Sequence, residues 1–410
     1  MNKYIFNILC TVAFTDLVAI SLVVPLMGAH LRSLGMSHFL IGLLGSAYAG
    51  LQLITSPIIG SWSDVQGHRL IFIQTMVICS LCYLLWGFTT SLGVILLIRL
   101  VLGSFKHTQT LCKALISYTV PQPEQAEAFG KLNAMAGIGF MIGPIIGGHM
   151  AELENGFLYI CCLVAFTLWI NIGLVYIFIP EHISTSKHES HVENKLRKER
   201  ENSLKVQFMS SFSLLKSVDW IDFWDLFTLK FLVTFCQSLF FSNYGLYIQD
   251  AFGVGPVWVG YTISFQGMIG ALSSVLISYL EKFYHMDPTY KVRMFHGFIL
   301  FTISFCILSY ALSLIYFILG LVPLSSSGAF LRVVGMEILL QRTDADKRGS
   351  LMGSSNSVSS IGRLVGPVIG GLIRDLAGAQ VVFILIQFIT GCGAVLAYYF
   401  LHRKVPNKYE

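Results

Sequence analysis

Twelve long apolar runs, separated by little more than turns, occupy most of this chain: 5–27, 38–60, 70–88, 92–117, 128–150, 157–179, 222–248, 257–280, 293–310, 312–340, 350–373 and 380–401. Each is close to or beyond the roughly 20 residues that a helix needs to cross the hydrocarbon of a bilayer. A soluble fold has no place for so much apolar sequence, because one core stops growing near roughly 250–300 residues. Composition says the same: 55% of residues are hydrophobic and 12% charged, about half the charge of an ordinary soluble domain. The expected fold is an all-α polytopic membrane protein with twelve transmembrane helices, and the lipid bilayer is its first partner. No large catalytic domain fits outside the membrane. No phosphate-cradling glycine loop and no H-E-x-x-H motif occur, which disfavours ATP-driven pumping and metalloprotease chemistry. The chain is therefore not expected to be an enzyme, nor to need a metal, a cofactor or nucleic acid. The nine cysteines lie in apolar stretches, Cys79 and Cys82 included, where they serve as small hydrophobes.

The first run has no small-residue cleavage site and reads as a retained span with its amino end in the cytosol. Charge counting supports that orientation. Eighteen of the 27 lysines and arginines then fall on the inner side, against only Arg32 and Arg374 on the outer side. Both termini are expected in the cytosol, without any indication of which membrane is crossed. One long polar stretch interrupts the apolar pattern, so the expected organisation is a six-helix bundle over 1–180, a charged cytosolic linker over 181–220 and a second six-helix bundle over 221–410. A monomer is expected.

An internal repeat supports that division. Gly130, Gly139, Gly143, Pro144, Gly147 and Gly148 in span five recur as Gly353, Gly362, Gly366, Pro367, Gly370 and Gly371 in span eleven, every pair 223 positions apart. Six matches at one offset equate the fifth span of each half, the mark of parallel repeats.

After span two the chain reads Gly60-Ser-Trp-Ser-Asp64-Val-Gln-Gly67-His68-Arg69. A carboxylate and a guanidinium at an inner helix end, with glycines allowing close approach, can make a charge clamp that breaks when bundles rock. With Arg99-x3-Gly103 in span four and the Gly-Pro-Gly-Gly signature of span five, the whole chain resembles the major facilitator superfamily. Asp16, nine residues before Pro25, makes it similar to the drug:proton antiporters related to the tetracycline-efflux proteins, whose antiporter signature is the span-five motif. The resemblance implies two six-helix bundles working by alternating access, with protons coupled through the span-one acid. It supplies no substrate. His68 stands where the family prefers Arg, and the second-half copy of the clamp has decayed to Glu281-Lys-Phe-Tyr-His-Met-Asp287, so an asymmetric cytosolic gate is expected.

Charges inside a membrane are expensive and mark function. Asp16 is the only carboxylate near the centre of any span, and its protonation can be switched by whatever cation moves beside it. Arg99, Lys106 and Lys113 recur every seven residues in span four, which on a continuous helix is one stripe about 21 Å long. Arg99 is expected to serve Asp16 in proton coupling, whereas Lys106 has no evident acidic partner and is expected at the substrate, the alternative being a lysine bonded to carbonyls or to Asp16 itself. Lys230 and Arg363 join it from spans seven and eleven, and Gln52 and Gln237 are candidate cavity-lining residues. Arg363 aligns with Phe140 in the other half, so its charge is not part of the repeated scaffold. One central acid among several cations favours an anionic or zwitterionic small-molecule solute. The expected function is secondary active transport, with protons as the second partner. A transporter-like scaffold or receptor without net transport is the alternative, against which the retention of the clamp and glycine motifs argues.

Overall fold

The computed structural model describes residues 3–180, 220–280, 284, 287, 290–343 and 348–402. The charged stretch expected as a linker lies outside the described residues, apart from Trp220. Thirteen helices occur among them, and no strand: α1 Lys3–Ser33, α2 His38–Gln66, α3 His68–Phe88, α4 Leu92–Phe105, α5 Thr108–Thr119, α6 Gln122–Ala151, α7 Gly156–Phe178, α8 Trp220–Phe252, α9 Pro256–Leu280, α10 Lys291–Ser309, α11 Leu314–Gln341, α12 Arg348–Ala377 and α13 Ala379–His402. Helix is the only open-ended element that satisfies its own backbone in lipid. The one departure from one helix per span is span four, which is broken into α4 and α5.

Eleven of the twelve spans are long and apolar enough to cross a membrane, the α4–α5 pair counting as one. The exception is α12, which has 30 residues and therefore ample reach at 1.5 Å per residue. It falls short in apolarity because one run carries Ser354, Ser355, Asn356, Ser357, Ser359, Ser360 and Arg363. Ser354, Ser355 and Ser359 are buried, so much of this polarity faces protein.

Contacts divide the chain into two compact units: Met1–Met36, Leu44–Leu214 and Gly253–Ser264 in one, and Ser37–Leu43, Leu215–Phe252 and Phe265–Glu410 in the other. In the first, α1 packs on α6 and α7, and α3 on α7. In the second, α8 packs on α12 and α13, and α10 on α11 and α13. Phe240, Phe305, Phe317 and Phe383 are fully buried in the second unit, and Phe240 meets Phe305 and Phe383 edge to face.

The repeated glycine motif does the same packing job in both units. A side chain at Gly139 would overlap the Phe14 carbonyl, one at Gly143 would overlap Ser21 Oγ, and one at Gly147 would come within 2.6 Å of the Leu22 carbonyl oxygen. These glycines bring α6 onto the backbone of α1, as small residues do between membrane helices. Gly362, Gly366 and Gly370 likewise bring α12 onto Phe235, Ser238 and Asn243 of α8. Gly148 makes room for the Pro256 carbonyl and Gly371 for the His38 carbonyl, which draws in the short segments each unit takes from the other half of the sequence. Gly130 has open space around it, so it plays no part in this contact. Gly143→Ala should accordingly lower stability by about 1–3 kcal/mol through overpacking. Gly130→Ala should be neutral or slightly stabilising through helix propensity; melting of the purified proteins checks the contrast.

Candidate functional site

The break in span four is where the first unit gathers its polar side chains. Within the apolar span, Lys106, His107, Thr108 and Gln109 form a polar tetrad, and the helix stops at its start. Lys106 leaves helical geometry at φ −79° and ψ 75°, and His107 follows at φ −121° and ψ 24°. A broken helix at membrane depth persists only if its backbone is satisfied by protein. Gln52 Nε2 donates to the Lys106 carbonyl at 3.0 Å, Thr55 Oγ1 lies 2.9 Å from His107 Nε2, and Gln109 Nε2 donates to the Ala13 carbonyl at 3.1 Å. Gln52, expected at the substrate, is therefore occupied in supporting the break.

Leaving the helix path turns Lys106 toward α1. Its Nζ donates to Asp16 Oδ1 and to Thr108 Oγ1 at 3.2 Å. Asp16 is 1% exposed and Lys106 4%, so the two form a buried ion pair. Such a pair is stable only while both partners are present. Asp16 Oδ2, the other carboxylate oxygen, is buried with no hydrogen-bond partner. Beside it, Thr15 Oγ1 donates to Asn171 Oδ1 at 2.6 Å.

The cation beside Asp16 is therefore Lys106 and not Arg99. Arg99 does not reach Asp16; its guanidinium packs over the rings of Tyr48 at 4.5 Å and Trp86 at 5.4 Å. It lies seven residues, about 10 Å, from Lys106 along the helix axis, and Lys106 already occupies Asp16 Oδ1. Lys113 is exposed on α5, beyond the break, so the three-cation stripe expected of a continuous helix does not form.

At the junction of α2 and α3 the sequence clamp is also rearranged. Gly67 takes φ 101° and ψ 130°, a region that favours glycine, and reverses the chain between the helices. Asp64 Oδ1 then lies 3.5 Å from His68 Nε2 and accepts from the Tyr118 hydroxyl at 3.3 Å. Arg69 donates instead to the Tyr176 carbonyl at 2.7 Å, because its place on α3 points it along α7. Asp64 and Arg69 are thus not paired with each other, and Gly60 has open space where close approach was expected. The second unit has a direct pair where its motif had decayed: Asp287 Oδ2 accepts from the Arg293 backbone at 3.0 Å and lies 3.8 Å from its Nε. An Asp64→Asn, Arg69→Gln double-mutant cycle should show a coupling energy under about 0.5 kcal/mol, as for independent sites, when read from melting of the single and double variants.

In the second unit, Lys230 of α8 donates to Ser355 Oγ of α12. Arg363 donates to Ser360 Oγ at 2.8 Å, and its carbonyl accepts from Ser238 Oγ at 3.4 Å. Gln237 is turned to α11, where a side chain at Gly328 would meet its Nε2 at 2.9 Å. Three carboxylate contacts missed in the sequence stand near helix ends: the ion pairs of Asp225 with Arg342 at 2.7 Å and Asp250 with Arg374 at 2.5 Å, and the hydrogen bond of Asp375 with His38 at 2.7 Å. Partners more than a hundred residues apart leave no spacing signal.

Known proteins supply the family. A match to the Major Facilitator Superfamily covers residues 9–295 and 290–410. The quinolone resistance protein NorA of Staphylococcus aureus is 25% identical over 385 residues, covering 92% of this chain and 91% of that protein. The class H tetracycline resistance protein of Pasteurella multocida is 23% identical over 414 residues, covering 100% of this chain and 98% of that protein. Among solved structures, the nucleoside transporter NupG superimposes with a TM-score of 0.76 at 13% identity, over 98% of this chain and 100% of that one. The human organic anion transporter MFSD10 does so with a TM-score of 0.66 at 18% identity, over 96% and 99%. The glycine-packed helix pairs, the broken fourth span and these matches over nearly the full length lead to one conclusion: the chain belongs to the Major Facilitator Superfamily and is a multi-pass membrane transporter, not an enzyme.

Proposed function

We propose that this transporter carries a small organic anion or zwitterion by alternating access, coupled to protons at the buried Asp16–Lys106 pair. The observation that carries the coupling is Asp16 itself. One oxygen is held by Lys106 and the other, in a site closed to solvent, has no partner. A proton arriving at Oδ2 neutralises the carboxylate and releases Lys106, so protonation and the geometry of the break at 106–107 change together. A buried pair of this kind has two discrete states, which is what a coupling element requires. Arg99, stacked on Tyr48 and Trp86, positions α4 against α2 and α3.

The sign of the solute is supported by what remains unneutralised. Lys106 has its counter-ion, whereas Lys230 and Arg363 bond only to hydroxyls and backbone among the described residues. Relatives named for quinolone and tetracycline resistance support a small organic solute. In this reading Asp64, Gly67, His68 and Arg69 gate the cytosolic end, both termini face the cytosol, residues 181–220 connect two bundles, and the protein works as a monomer. Sealed proteoliposomes with an imposed pH gradient test it: the purified protein should concentrate an organic acid across the membrane. Binding without gradient-driven movement would instead support a receptor or scaffold.

A further inference from the structure

We infer that the acid group of the solute docks between α8 and α12, on Lys230, Ser355 and Arg363. This rests on the anionic reading above and assigns that anion a place. In the first unit Lys106 already has its acid, and Arg99, the other buried cation, is stacked on Tyr48 and Trp86. In the second, the described acids near helix ends have partners of their own: Asp225 has Arg342, Asp250 has Arg374, Asp287 has Arg293 and Asp375 has His38. Glu337 lies with Arg293 in the lining of a small cleft away from α8 and α12. None of these acids reaches Lys230 or Arg363.

Both cations are deep in their spans. Lys230 is ten residues into α8 and Arg363 fifteen into α12, or about 15 and 22 Å from the helix starts. Unbalanced charge at such depth is costly and seldom kept without a use. Both cations stand at the α8–α12 contact, Lys230 against Ser355 and the Arg363 backbone against Ser238, where an anion would offset their charge. Donors are at hand. Ser355 is buried and accepts from Lys230, which leaves its own hydroxyl proton to give. Arg363 spends one donor on Ser360, out of the five a guanidinium carries.

The repeat shows that this cluster is not scaffold. Ser355, Ser360 and Arg363 align, 223 positions back, with Leu132, Gly137 and Phe140, none of them charged or hydroxylated. The second unit has thus placed a charge on α12 where α6 of the first carries an apolar residue. An ammonium, a guanidinium and hydroxyls along one contact between two helices suit the oxygens of a carboxylate, sulfonate or phosphate ester.

The test is binding to the purified full-length protein, read as a shift in melting temperature with titration. The probes are naphthalene, benzyl and octyl compounds carrying a sulfonate, carboxylate, alcohol or ammonium group. Lys230→Gln and Arg363→Gln should each weaken the best acid roughly tenfold or more and leave the matching alcohol unchanged. Lys230→Arg should retain most of the affinity, and Lys113→Gln, on the exposed face of α5, should change nothing. An acid preference that survives in both glutamine variants would overturn the docking site while leaving the anionic reading intact. A wild-type protein that binds no acid in the panel, or binds alcohol or ammonium as tightly, would overturn the anionic reading and the site with it.

Discussion

Replacing Lys106 alone with methionine should destabilise the protein by about 3–5 kcal/mol, and replacing Asp16 with asparagine in the same molecule should recover most of that loss. The reason is the burial of the pair. Asp16 and Lys106 are 1% and 4% exposed, and removing one partner strands the other charge where no water can solvate it. Removing both charges leaves neutral groups of similar volume, and replacing a buried ion pair in this way is often neutral or better. Melting and monodispersity of Lys106→Met, Asp16→Asn and the double variant check this. Additive losses in the double variant would mean that the two residues are not paired.

Asp16→Asn should abolish concentrative transport while leaving exchange of solute at equal pH. Asparagine keeps a similar shape and an oxygen for Lys106, but it cannot take up a proton. A pH gradient of one unit supports at most about tenfold accumulation for each proton exchanged, and in this variant the ratio should fall to one. Solute counterflow, which needs alternating access and binding but no proton, should persist. Arg99→Gln should retain gradient-driven accumulation, because Arg99 rests on Tyr48 and Trp86 and not on the acid.

The framework of the protein was legible because it is written in local and periodic signals. Apolar runs gave the spans, and the 223-residue repeat gave the paired roles of α6 and α12, down to the glycines that meet α1 and α8. Asp16 stood out as a lone central carboxylate. The choice between Arg99 and Lys106 as its partner was not legible, because a seven-residue stripe presumes an unbroken helix and no proline or glycine marks the break at Lys106–His107. The signal that could have found it is the polar tetrad Lys106 to Gln109, too polar to be left in lipid and rich in groups that can satisfy an opened backbone. Gln52 shows the same limit: an intramembrane amide looks alike whether it meets a solute or a carbonyl. At the α2–α3 junction the motif residues were found but their pairing was not, since the turn at Gly67 separates Asp64 from Arg69 and leaves His68 nearest the acid.

Following protons and solute together tests coupling at Asp16 most directly. Proteoliposomes loaded with a pH-reporting dye are given a transported organic acid with no initial pH difference, and lumenal pH is recorded alongside solute uptake. Wild-type protein should move protons in fixed proportion to solute, and Asp16→Asn should exchange the solute with no change in lumenal pH. A variant that still moves protons in step with solute would show that the proton passes elsewhere and that the Asp16–Lys106 pair is only structural.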